Sequence, residues 1–110
     1  MENFICLDTD VLVDILRNKQ ETLKWIKDRE KDSILACTIV SIFELYYGAY
    51  LSTSTEKNVE SVDKLSSRLK ILNLNLNIAK NAGRAKAKLE KSGEQIEFRD
   101  ILIGSISMSE

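Results

Sequence analysis

The chain has 110 residues, 44% hydrophobic and 30% charged, a balance that suits one globular domain over 1–110 with a modest core. Lys and Arg total 16 against 17 Asp and Glu, a formal net charge of −1, so attraction for a polyanion must come from a local patch. Histidine is absent, which excludes His-based acid–base catalysis, Ser-His-Asp and Cys-His nucleophiles and His-ligated zinc. Carboxylates, hydroxyls, lysines, tyrosines and a hard metal ion remain. No apolar run is long enough to span a bilayer, and the opening MENFICLDTD lacks a basic segment followed by an apolar one. Cys6 and Cys37 lie in apolar stretches and are expected to be small buried hydrophobes in a reducing cytoplasm, with no membrane partner.

Along the chain, NFICL (3–7) reads as a short buried strand. Val11, Leu12, Ile15 and Leu16 follow helical spacing, which predicts a helix over 10–17, broken at Asn18-Lys19. A second helix with a charged face follows over 20–31, then a strand at SILA (33–36). Ser41 is the expected N-cap of a helix over 42–52, with Glu44 three residues on at capping-box spacing. An amphipathic helix over 55–69 precedes a third strand at 71–74. A basic helix over 76–91 contains Gly83 and stops at Ser92-Gly93, and a last helix starts at Asp100. The predicted order, β-α-α-β-α-α-β-α-α, implies a parallel sheet covered by helices on both faces.

In open α/β sheets, ligands gather beyond the carboxyl ends of the strands. Asp8 ends the first strand, Glu44 lies in the helix after the second, and Asp100 opens the last helix. Three acids distant in sequence are thereby directed to one edge, where close carboxylates repel unless a cation neutralises them. An all-oxygen set without Cys or His favours Mg²⁺ or Mn²⁺. Each acid also has an ordinary explanation. Asp8 reads equally as a helix N-cap, Glu44 as half of the capping box, and Asp100 as a favourable acid at a helix N-terminus. Asp10 and Asp14, four residues apart, share a helix face, with Asp14 expected in solvent.

In combination, "FICLDTDVLVDIL", "TIVSIFELYYGAY" and "DILIGSIS" resemble three blocks of the PIN-domain family, and within it the VapC-type toxins of toxin–antitoxin pairs. Asp8, Thr9 and Asp10 match the first block; Ser41, Glu44, Leu45 and Gly48 the second; Asp100, Ile103 and Ile106 the third. The resemblance implies a three-layer α/β/α sandwich with a parallel sheet. It also implies a metal-dependent endoribonuclease. Asp8, Glu44 and Asp100 would be the catalytic, metal-binding acids, with Mg²⁺ or Mn²⁺ as cofactor. Thr9, Asp10 and Ser41 would position them. An antitoxin protein and a second copy of the chain are the implied partners. The family pattern continues into a further strand, a segment with a fourth acid and a final strand, none of which lies in these 110 residues. An open sheet edge is therefore expected.

RNA requires local positive charge. Lys80, Arg84, Lys86, Lys88, Lys91 and Arg99 form a basic helix and approach. Arg84, Lys88 and Arg99 are candidate contacts to RNA or to an acidic antitoxin, while a solvated lysine-rich face is the plainer reading. Trp25, Tyr46, Tyr47 and Tyr50 are expected in the core or at a dimer surface. Two functional readings compete with the ribonuclease: a catalytically impaired, truncated PIN-like module that binds RNA or protein, and a receiver-like phosphoacceptor domain. The second fits poorly, because no lysine ends a late strand to complete its pocket.

Overall fold

A computed structural model describes residues 3–108. Their order is β1 (Asn3–Cys6), α1 (Thr9–Leu16), α2 (Gln20–Glu30), β2 (Ser33–Thr38), α3 (Ile39–Leu51), α4 (Thr55–Ser67), β3 (Lys70–Leu72), α5 (Leu76–Lys91) and α6 (Phe98–Met108). The predicted alternation of one strand and two helices therefore holds throughout. The strands form one parallel sheet in the order β1-β2-β3, with Cys6 beside Ala36 and Thr38 beside Leu72. The pairs α1–α2 and α3–α4 are the crossovers that return the chain to the starting end of the sheet.

Strand alternation divides the core in two. Leu7, Leu35 and Cys37 pack with Leu12, Ile26, Ile42, Leu45, Val62 and Leu65 from α1 to α4. Ala36 and Leu72 point to the opposite face and pack with Ile78 of α5 and Ile106 of α6. Helices thus cover both faces, giving the expected α/β/α layering. No helix among the described residues is long and apolar enough to cross a membrane.

Several boundaries differ from the sequence reading. β2 runs to Thr38 and α3 starts at Ile39, not 42, because Thr38 rather than Ser41 is the N-cap: its Oγ1 accepts the Ser41 N–H at 3.1 Å. The expected Ser41–Glu44 capping box is therefore not formed. Ile39 and Val40 look strand-like by propensity, but the cap sends the chain into a helix one turn earlier. β3 ends at Leu72, and α6 starts at Phe98, ahead of Asp100.

Two helix ends close in the same way. Asn18 (φ 58°) and Gly93 (φ 84°) are left-handed. The N–H of Lys19 donates to the Asp14 carbonyl and that of Glu94 to the Leu89 carbonyl. These are the six-to-one bonds of Schellman closures.

One cysteine meets expectation and the other departs from it. Cys37 is fully buried, and burial pushes its thiol up to about 12. Cys6 is exposed. It lies on the outer strand β1, on the face that α5 and α6 cover over β2 and β3, and its Sγ is 3.2 Å from Ser107 Oγ. Phe4, on the same face, is also exposed and carries the Lys70 ammonium 4.4 Å from its ring centroid. Trp25, Tyr47 and Tyr50 are exposed as well, so they belong to the surface and not the core.

Candidate active site

The carboxyl ends of β1 and β2 deliver the start of α1 and the start of α3 to one edge of the sheet. Asp8 is the N-cap of α1, and its Oδ1 accepts the Val11 N–H at 3.0 Å. The side chain is nevertheless exposed at that edge. Capping and an outward-facing carboxylate therefore coexist in one residue, since a carboxylate has accepting capacity left after one bond.

Glu44 lies in the second turn of α3 and is half-buried. Its Oε1 is 3.0 Å from Thr9 Oγ1, and the same hydroxyl is 3.0 Å from Ser41 Oγ. Thr38 Oγ1 lies 3.4 Å from Ser41 Oγ. Hydrogen counting orders this set. Each hydroxyl has one proton and the ionised carboxylate only accepts. With Thr9 donating to Glu44, Ser41 is left to donate to Thr9 and Thr38 to Ser41. Thr38 and Ser41 are fully buried, where an unmade hydrogen bond is expensive. A chain of hydroxyls thus runs from the cap of α3 to the carboxylate of Glu44.

Of the residues singled out in the sequence, the structure joins Thr9, Ser41 and Glu44 directly. Asp10 is exposed in the first turn of α1. Asp100 is exposed in the first turn of α6. Among the described residues, no three His, Cys, Asp or Glu side chains stand close enough to hold a metal ion. Asp14 is not simply solvated: it pairs with Lys19 at 3.8 Å and accepts from Thr22 at 3.5 Å, tying α1 to α2. Arg84 and Lys88 are exposed on α5, while the side chain of Arg99 lies outside the described residues.

Thr38 is the residue that sequence reasoning missed. Its signal was present, a Thr at the end of an apolar run, but Ser41 three residues later is an equally good cap by type. Beside the Thr9–Glu44 contact, α1, α3 and α4 enclose a groove of about 310 Å³ with Val13, Leu16 and Val62 on its walls and Arg17 on its lining.

The model of the PIN domain family matches residues 5–110. The chain belongs to the PIN-domain family. It is 31% identical over 105 residues to Ribonuclease VapC2 of Haemophilus influenzae, a match spanning 94% of this chain and 78% of the relative. Two solved structures share its architecture. VapBC2 from Rickettsia felis, bound to a promoter DNA fragment, superposes with a TM-score of 0.87 at 24% identity, over 96% of this chain and 80% of that one. DNA-bound VapBC from Salmonella typhimurium superposes with a TM-score of 0.84 at 26% identity, over 97% and 80%. The PIN domain of this chain thus has the fold of the VapC-type proteins, as the three sequence blocks imply.

Proposed function

We propose that this PIN domain is a VapC-type endoribonuclease, the toxin of a toxin–antitoxin pair, acting in the cytoplasm on RNA phosphodiesters with Mg²⁺ or Mn²⁺. The observation that carries the reading is the bond between Thr9 and Glu44, which couples the first and second sequence blocks at the edge where Asp8 is exposed. The donor chemistry fits a hard cation. Mg²⁺ is commonly held by one or two carboxylates and keeps several waters, so it needs no dense protein cage. Asp8 and Glu44 would hold it, and Asp100, which does not cluster with both of them here, would be the third acid. Bound there, the ion supplies an acidified water and neutralises charge on the phosphate.

The remaining work falls to the chain itself. The Val11 N–H orients Asp8, and Thr9 orients Glu44 through the hydroxyl chain. Asp10 and the helix N-termini of α1 and α3 flank the position of the scissile phosphate. The groove between α1, α3 and α4 opens beside Glu44 and suits an inhibitory antitoxin segment that places a cation against the acids. A homodimer is supported by α3. Ile39, Phe43, Tyr47, Tyr50 and Leu51 recur at helical spacing on one face, and all are exposed. Such an apolar stripe marks an association surface.

The test is cleavage of a structured RNA pool with Mg²⁺ or Mn²⁺ against EDTA, beside Asp8→Asn. Metal-dependent cleavage that falls about 100-fold or more in the variant is expected, at least the loss typical of a disturbed metal site. A second reading is a PIN module that binds RNA or protein without cutting, since no three His, Cys, Asp or Glu side chains cluster among the described residues. Folded wild-type protein that binds RNA and never cleaves it would establish that alternative.

A further inference from the structure

Apart from Lys86, the basic residues of α5 share one face. At 100° per residue, Asn77, Lys80, Asn81, Arg84, Lys88 and Lys91 fall in a sector of about 100°, and all six are exposed. Ile78 and Ala82 face the core. The helix has a single acid, Glu90, which lies outside the sector and is bound to Lys86 at 2.6 Å. Among the described residues, Lys80, Arg84, Lys88 and Lys91 form no ion pair. In α2 and α4, by contrast, cations and acids are interleaved. The chain's net charge of −1 therefore conceals a segregated row of cations.

The position of that row matters. α5 follows the carboxyl end of β3 and is capped by Asn75, whose side chain accepts the Ile78 N–H at 2.9 Å. It begins at the sheet edge that bears Asp8 and Glu44, and from Asn77 to Lys91 it extends about 21 Å away. Lys80, Arg84 and Lys88 are about 6 Å apart along its axis, a repeat comparable with successive phosphates of an extended strand. A furrow of about 350 Å³ runs beside the row between α5 and α6, lined by Asn81, Arg84, Ser105 and Met108. The wall formed by α6 belongs to the helix that carries Asp100 in its first turn.

We propose that the exposed face of α5 is the track along which a single-stranded RNA backbone leaves the carboxylate edge. Lys80, Arg84, Lys88 and Lys91 contact phosphates. Asn77 and Asn81, which both donate and accept, meet ribose hydroxyls, and the furrow receives a base or sugar. The assignment rests on the ribonuclease reading above. An acidic protein segment would also be drawn to the cations, but the spacing of about 6 Å along the row matches successive phosphates of a strand, and the row starts at the carboxylate edge.

The experiment uses the full chain, a labelled oligouridylate as probe and EDTA to prevent cleavage, with affinity measured across a salt series. Each phosphate contact on a single strand adds about 0.7 to the slope of log affinity against log salt. The triple variant Lys80→Gln/Arg84→Gln/Lys88→Gln is expected to flatten that slope by about 2, with its circular dichroism unchanged. The control Lys24→Gln/Lys27→Gln/Lys57→Gln removes the same charge from α2 and α4 and is expected to keep the wild-type slope. Equal flattening in both variants would reduce the effect to net charge and overturn the track. A wild-type protein that cleaves RNA, with an α5 variant of unchanged slope, would overturn the track and leave the ribonuclease intact. No RNA binding by wild type would overturn the track, and RNA cleavage by the same protein with Mg²⁺ would decide the ribonuclease separately. Binding of oligoglutamate that depends on α5 while oligouridylate binding does not would assign the face to an acidic protein and overturn the proposal.

Discussion

Thr38 shows how much one hydroxyl can hold. It caps α3, bonds Ser41 twice, and through Ser41 and Thr9 reaches Glu44. Valine has nearly the same shape and removes only the polar function. Thr38→Val leaves the Ser41 N–H without its acceptor in a fully buried site. The expected cost is about 1–3 kcal/mol, the penalty for a buried donor left without its acceptor, read from urea unfolding at constant m. RNA cleavage should fall as well, because Glu44 loses the far end of its support, and Thr38→Ser should restore most of both. A variant as stable as wild type would show that the hydroxyl chain has no such role. At this scale the sequence was partly legible. Asp8 as a cap is a local property, and the local rule found it. The partnership of Thr9 with Glu44, 35 positions apart, is not local, and only the pairing of β1 with β2 creates it.

Among the elements, α5 offers a paired test of opposite sign. Gly83 is helical and exposed, and a Cβ there meets nothing within 4 Å. Gly83→Ala should raise stability by about 0.5–1 kcal/mol, since alanine has less backbone entropy to lose. Gly93 has φ 84° and closes the same helix, so Gly93→Ala should lower stability by about 1–2 kcal/mol. Thermal or urea melts of the two variants check both signs, and a stabilised Gly93→Ala would contradict the left-handed closure. Helix α5, bounded by Asn75 and by Ser92-Gly93, was legible to the residue. The start of α3 was not, because Thr38 and Ser41 compete as caps, and burial of Ser41 against the sheet decides between them.

For the molecule as a whole, the outstanding surface is the α3 stripe. Phe43 and Tyr47 stack with ring centroids 6.3 Å apart, and both are more than half exposed. Their burial within the chain is small, so charging them should cost folding little. Wild type is expected to sediment as a dimer and Phe43→Glu/Tyr47→Glu as a monomer with unchanged circular dichroism. A dimer that survives the change would place the interface elsewhere. Such surfaces are hard to see in a sequence, because an apolar helix position reads the same whether it faces the core or a second copy.

The order of elements, the parallel sheet and the list of acids were determined by the sequence alone, for a physical reason. Periodicity, caps and turn residues act over a few positions, and short apolar strands separated by helix pairs have few ways to pack. Tertiary structure decided which hydroxyl meets which carboxylate. It also decided that Cys6 is exposed while Cys37 is buried, and that the cations of α5 lie on one unobstructed face while Lys86 is diverted to Glu90. Those outcomes depend on strand register and on which helix covers which half of the sheet. Both are set by contacts between residues far apart in the chain.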